Sequence, residues 1–395
     1  MNRFFFSLLL LSLTVALTVG LQNCKRKTDP APQPPRLTVT GISPSSGRGG
    51  TLITITGTAF DGTGRAVTIN GKSATIRQTS PTSIQAEVPA NCGSGPIEVT
   101  VGGQKTRSST DFAYLFDRFS EMVYYIQDGR VWSMDIFQGR KRAATPSGFT
   151  FNNAEALLLS RPAASGNQLV VFEKNGAAGG FTILKDAGDL DKFSSFESGH
   201  SRNTGWLGVQ SVVASKIRQG SIYYLWNRRD IYDNFVNVSS PNLADASTLK
   251  VRYGNDMAFL AEAGRLLYVF QVNGGIIGMK INANGSLQLA GSDNAQAKNY
   301  GGFKAATDLN GNLWFITSSG LLNRFVPSTN TLTNVVSLSG KVVWSNAQAM
   351  TAVGNYLMIV DDGQLYRVDP ISGNANVVGT ERLSIRTNNV AGFHN

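Results

Sequence analysis

Histidine and cysteine are almost missing from this sequence, with two of each in 395 residues. Two histidines rule out a histidine-rich metal centre. Sustained i, i+3, i+4 apolar spacing is also missing outside the N-terminal stretch, which removes helical fold classes. The 42 glycines and the recurrent turn pairs point instead to an all-β chain. Charged residues make up 16% against 42% hydrophobic, so the chain is not disordered throughout and can fill a sizeable core. Neither a Gly-x-Ser-x-Gly elbow nor a phosphate-cradling glycine loop occurs. Dense basic runs are limited to Lys25-Arg26-Lys27 and Arg140-Lys141-Arg142, and neither alternates with aromatics as a nucleic-acid platform would. Nucleic acid is therefore not expected as a partner. The net charge of +10 is spread along the chain and suits an anionic envelope or an acidic glycan.

What is present begins with an export signal over 1–23. Arg3 supplies a positive start and residues 4–19 an apolar run, and no other stretch is apolar enough to span a membrane. Leu21-Gln22-Asn23-Cys24 resembles a bacterial lipobox, whose cysteine is lipidated and becomes the mature N-terminus; it departs from that pattern at Asn23, where a small residue is expected. Two alternatives stay open: cleavage after Gly20 with Thr18 and Gly20 as the small residues, and a Cys24–Cys92 disulfide. Residues 24–35 carry four prolines and read as an extended tether. The expected location is the cell envelope, at the outer membrane of a Gram-negative bacterium, held by an N-terminal lipid. Lys25-Arg26-Lys27 leaves the periplasmic or surface side open.

From 36 to 115 short alternating strands follow closely. Thr51-Leu52-Ile53-Thr54-Ile55-Thr56 and Ile97-Glu98-Val99-Thr100-Val101 each bury one face, and Asn70-Gly71 is a hairpin turn whose positions tolerate positive φ. The pattern predicts a small β-sandwich. Ile42-Ser43-Pro44-Ser45-Ser46-Gly47, then 50–60 (GTLITITGTAF), Val88-Pro89 and 95–101 (GPIEVTV) resemble an IPT/TIG domain, an immunoglobulin-like fold. That resemblance implies a spacer or protein-contact module, common in Gram-negative surface proteins that handle polysaccharides through a distal domain. Cys92, in a loop before the last paired strands, is read as incidental.

Six times between 122 and 360 a four-residue apolar run recurs, starting at Val123, Leu169, Ile222, Leu266, Leu313 and Tyr356, with spacings of 46, 53, 44, 47 and 43. This is the period of a four-stranded propeller blade. The first unit lacks an inner strand, and Asn389-Val390-Ala391-Gly392-Phe393-His394 matches the inner-strand pattern of the others. The prediction over 116–395 is a six-bladed β-propeller closed by the C-terminal strand on the strand at Met122. Its architecture is similar to the NHL and gluconolactonase-like propellers, without any catalytic signature of theirs.

Propellers bind ligands where interblade loops and second-to-third-strand turns meet. The segment 192–209, read as the longest interblade loop, carries His200, Arg202 and Trp206; 241–255 is the next longest. Trp226, Arg228 and Arg229 fall in a second-to-third-strand turn, Tyr300 and Trp344 lie ahead of inner strands, and Asp361-Asp362 lies on the same side. Aromatics beside arginine suit sugar or peptide recognition, and the competing reading is that each aromatic packs between blades. A second group, Glu155, Gln210, Asp256, Gln348 and Asn389, aligns near the first inner-strand position as a polar ring at the channel mouth. Such oxygens suit calcium, and gluconolactonase-like propellers hold a metal there; a water-filled polar lining needs no metal, and no metal is assigned. Asp308-Leu309-Asn310-Gly311-Asn312 lacks the distal glutamate of a calcium loop and reads as a hairpin.

No catalytic residue is assigned; Glu155 with Asp256 is the least implausible carboxylate pair, on non-adjacent blades. The expected function is a non-catalytic propeller binding a glycan or protein partner. The alternative is a propeller lyase, lactonase or glycosidase, and a third reading is structural scaffolding.

Overall fold

The computed structural model describes residues 35–117, 120–160, 168–175, 178–186, 193–204, 206–214, 222–228, 234–239, 251–252, 257–283, 287–290, 300–335, 343–385 and 390–392. Every regular element described is a β-strand.

The N-terminal domain is built largely from one seven-stranded sheet, in the order Thr38–Ser43, Leu52–Thr58, Ser83–Glu87, Lys72–Ser80, Ala66–Ile69, Ile97–Val101, Gln104–Arg107. The sheet folds over itself. Lys72–Ser80 pairs with Ala66–Ile69 through its first residues and with Ser83–Glu87 through its last. That crossover lets Ile53, Ile55, Ile84 and Ala86 face Val67, Ile69, Ile97 and Val99 in one core. Strict alternation in Leu52–Thr58 and Ile97–Val101 makes this work, because each strand turns its Ile and Val residues inward and its Thr and Glu outward. Asn70 (φ 49°) and Gly71 (φ 80°) form the two-residue turn between Ile69 and Lys72.

The rest of the described chain forms six four-stranded antiparallel sheets. From the innermost strand outward, sheet 1 is Val390–Gly392, Met122–Gln127, Arg130–Asp135, Lys141–Ala143, and sheet 2 is Ala154–Ser160, Gln168–Asn175, Ala178–Asp186, Phe193–Thr204. Sheet 3 is Trp206–Ala214, Ile222–Arg228, Asn234–Ser239, Val251–Arg252, and sheet 4 is Met257–Ala263, Leu266–Gln271, Ile276–Ile281, Leu287–Leu289. Sheet 5 is Phe303–Leu309, Asn312–Thr317, Leu322–Val326, Thr331–Asn334, and sheet 6 is Ala347–Val353, Tyr356–Asp361, Gln364–Val368, Ala375–Arg382. All six apolar runs fall on second strands, which are buried on both faces between neighbouring sheets where their side chains are described. The arrangement is propeller-like: each innermost strand touches that of the next sheet, and Val390–Gly392 touches those of both sheet 2 and sheet 6. Asn310 (φ 52°) and Gly311 (φ 72°) join Leu309 to Asn312 as a hairpin turn.

Two junctions hold the sheet array and the first domain together. At the seam of sheets 1 and 6, Val390, Ala391 and Gly392 pair with Tyr125, Tyr124 and Val123. A Cβ on Gly392 would collide with the Ala352 carbonyl, and Gly139 and Gly379 (φ 68° and 67°) meet backbone to backbone, so this seam closes only with glycine at those points. Lys141 pairs with Glu381 at 3.0 Å while lying 4.1 Å over the Trp132 ring, and Arg367 donates to the Ile136 carbonyl (3.0 Å).

At the second junction, the core of the IPT/TIG-like domain runs without interruption into sheets 1 and 2, through Tyr114 and Phe116 to Met122, Tyr124 and Phe151. Glu121, 5% exposed, binds this joint. Its carboxylate accepts from the Tyr114 hydroxyl (2.8 Å) and the Asp117 N–H (2.6 Å), while its carbonyl accepts from Ile136 N–H (3.0 Å). Burial raises the carboxyl pKa above the ordinary glutamate value. Arg140 adds a bond to the Ser94 carbonyl (3.1 Å). Cys92 is a free, buried thiol in the same core, and burial pushes its pKa up to about 11.

Candidate functional site

Antiparallel pairing puts the start of each innermost strand, the end of the second and the start of the third at one end of a sheet. A local device recurs there. The second-to-third-strand turn of a sheet holds a glycine with positive φ, and its carbonyl accepts the N–H of the residue leading toward the next sheet. The pairs are Gly129 with Phe151 (2.6 Å), Gly274 with Tyr300 (3.1 Å), Gly320 with Trp344 (2.8 Å) and Gly363 with Leu383 (2.7 Å). The residue so held is large and apolar, and it wedges between sheets: Phe151, Trp344 and Leu383 are at most 4% exposed.

This changes the standing of the aromatics expected to line a groove. Trp344 is 2% exposed and packs edge-on against Tyr366 at 5.3 Å within the core of sheets 5 and 6. It is framework, because a wedge released into solvent would open the seam. Tyr300 is half-buried against Phe315 (5.3 Å) and Phe303 (6.1 Å), and burial raises its phenol pKa. Trp206 stands at the wedge register too, four residues before Gln210 as Phe151 stands before Glu155. Its backbone opens the innermost strand of sheet 3 opposite Arg228.

The stretch 192–209, expected as a loop, is strand over most of its length: Phe193–Thr204 is the outer strand of sheet 2, with His200 paired to Gly180 and Arg202 near its end. Its Ser-rich sequence offers few β-branched residues, so pairing and not propensity sets its state. Trp226 lies within the second strand of sheet 3, between Val209 and Phe235, and not in the turn. Arg229 and most of 241–255 lie outside the described residues. Asp361 is buried and accepts from the Asn346 N–H (2.9 Å), tying the approach of sheet 6 to its turn, whereas Asp362 is exposed and pairs with Arg382 at 3.0 Å.

The innermost strands carry a second recurrent feature. In sheets 2 to 6 the register slips near the strand's start, around Glu155, Gln210, Ala258, Lys304 and Gln348, with a second slip around Leu207 in sheet 3. A bulge leaves the extra residue without a ladder partner and re-aims its side chain. Three of the five residues expected in the polar ring, Glu155, Gln210 and Gln348, occupy these bulges. Asp256 and Asn389 lie outside the described residues, and the bulge of sheet 4 falls on Ala258. Lys304, absent from the expected set, takes the position in sheet 5 and places an ammonium where oxygens were expected. Glu155, Lys304 and Gln348 are half-buried, and the Gln348 Oε1 accepts from the Gly363 N–H (2.8 Å). The constant offset of four from wedge to bulge (Phe151 to Glu155, Tyr300 to Lys304, Trp344 to Gln348) is the signal in the sequence that finds Lys304. Among the described residues no group of three or more His, Cys, Asp or Glu side chains is placed to hold a metal ion.

Residues 37–114 match the IPT/TIG domain family, which identifies the N-terminal domain and leaves the six sheets outside the match. Among curated proteins none matches the chain. Solved structures similar to it include a structural-genomics protein of unknown function from Bacteroides thetaiotaomicron (14% identity, 89% of this chain and 88% of that one, TM-score 0.44). Others are an auxiliary nutrient binding protein from Bacteroides ovatus (13%, 87% and 87%, TM-score 0.42) and a chain of the nidogen/laminin complex (10%, 68% and 97%, TM-score 0.47).

Proposed function

We propose that the six sheets are the blades of one closed ring and that the protein is a non-catalytic binding protein of the bacterial cell envelope. In this reading it is lipid-anchored through Cys24 at the outer membrane and presents the ring on its IPT/TIG domain to a glycan or protein partner. The observation that carries it is the set of bulges: in sheets 2 to 6 a residue near the start of the innermost strand, Glu155, Gln210, Lys304 and Gln348 among them, is set out of register at one end of adjoining strands. Polar side chains of mixed donor and acceptor type, converging from separate elements, are what fixes the orientation of a hydroxylated ligand. No cofactor enters this reading. The continuous core through Tyr114, Phe116 and Met122 supports a rigid mount in place of a flexible spacer.

A glycan-array screen of the soluble chain from Thr28, with and without calcium, tests the reading. Retention of a glycan family irrespective of calcium is expected. If no glycan is retained under either condition, the glycan is replaced by a protein partner.

A further inference from the structure

Resting on that proposed binding role, we infer that the ring takes an acidic saccharide, whose anionic oxygens seat on Lys304. The inference starts from what each bulge residue has left to offer. Lys304 is half-buried, and among the described residues no carboxylate lies within ion-pair distance of its ammonium. A partly desolvated ammonium gains most from a charge-assisted bond to an anion. Its neighbour in sheet 6, Gln348, has its Oε1 engaged by the Gly363 N–H, so what it turns toward a ligand is the Nε2 amide donor. Its neighbour in sheet 4, Ala258, packs against the core between sheets 4 and 5 and places no charge at its bulge.

Among the described residues, donors therefore dominate this arc of the ring. The carboxylate of the set, Glu155, belongs to sheet 2, three sheets away from sheet 5 and so across the ring from Lys304. An anionic group on Lys304 would stand away from it. A donor arc of this kind repels a divalent cation and accepts a carboxylate or sulfate. The chain's net charge of +10 draws the same ligand class toward the surface from a distance. Neither hydroxyl-rich neutral sugars nor calcium would need the ammonium.

The test uses the chain from Thr28, with the IPT/TIG domain and all six sheets, at about 0.15 M salt to screen loose surface attraction. Three polymers are titrated: polygalacturonate, dextran sulfate and uncharged dextran. The first two separate a carboxylate from a sulfate ligand, and the third shares its backbone with the second. Binding of at least one acidic polymer, with dextran much weaker, is expected. Lys304→Met should then weaken it by about tenfold or more, with Lys304→Arg retaining most of it. Lys105→Met, an exposed lysine of the IPT/TIG domain, should leave it unchanged. Equal binding of dextran and dextran sulfate, or an unchanged affinity in Lys304→Met, overturns the acidic ligand while leaving a glycan-binding ring intact. Weakening by Lys304→Met and Lys105→Met alike would overturn it in favour of diffuse charge attraction. No binding of any polymer, with a clean glycan array, sinks the acidic ligand and the glycan together and leaves a protein partner.

Discussion

In sheets 2, 5 and 6 two positions four residues apart divide the labour at one end of the sheet. The wedge, Phe151, Tyr300 or Trp344, is anchored by a glycine carbonyl of the preceding sheet and fills the seam. The bulge, Glu155, Lys304 or Gln348, is released from its ladder and stays half-buried. Both lie on the same short approach to an innermost strand, so proximity to the open end of the ring does not make a residue available to a ligand. What decides is whether its backbone N–H is tied across the seam, as in the wedge, or its register is broken, as in the bulge. Among the described residues, the aromatics Phe151, Tyr300 and Trp344 belong to the tied class and Glu155, Lys304 and Gln348 to the class with a broken register.

The comparison can be broken most directly at Trp344. Trp344→Ala empties a fully packed seam and should cost about 3–5 kcal/mol, read from urea unfolding, with ligand affinity preserved in the fraction that remains folded. A loss of affinity without loss of stability would move this tryptophan into the site. Gly392→Val drives a side chain into the Ala352 carbonyl. It should destabilise by about 1–3 kcal/mol, and protease should then cut first near the sheet 1 and sheet 6 seam.

Glu121→Gln should act in the opposite direction at neutral pH. Its folded pKa is raised by burial, so the native state favours the protonated form; stability is highest below the unfolded pKa and falls as pH rises through the folded one. The amide stays neutral and should flatten that fall, measured as urea midpoints from about pH 4 to about pH 8. At the bulges the effects on stability should be smallest. Gln348→Ala loses the bond to Gly363 and about 1 kcal/mol, and Lys304→Met should stay within about 0.5 kcal/mol of the parent.

Much of this architecture could be read from the residues. The apolar runs mark second strands because those strands are buried on both faces, and the Asn-Gly pairs at 70–71 and 310–311 turn as their chemistry requires. The pairing of Val390–Gly392 with Met122–Gln127 follows from a unit that lacked its innermost strand. The site was less legible. A tryptophan ahead of a strand looks the same whether it faces water or a seam, since what buries Trp344 is a hydrogen bond to Gly320, a residue of the preceding repeat. Bulges shift register by one residue without changing composition, so aligning strand starts by eye selects Asp256 where the bulge falls on Ala258, and passes over Lys304.

The strand at Val390–Gly392 also imposes an order of events on synthesis. The IPT/TIG domain and the outer three strands of sheet 1 emerge first, and their shared core can set at once. Met122–Gln127 then waits with one edge unpaired while the other five sheets are made, because its partner, Val390–Gly392, follows them in the chain. An open edge beside Tyr124 and Tyr125 invites pairing with any passing strand. The chain is thus most prone to misassembly along this edge until Val390–Gly392 caps it.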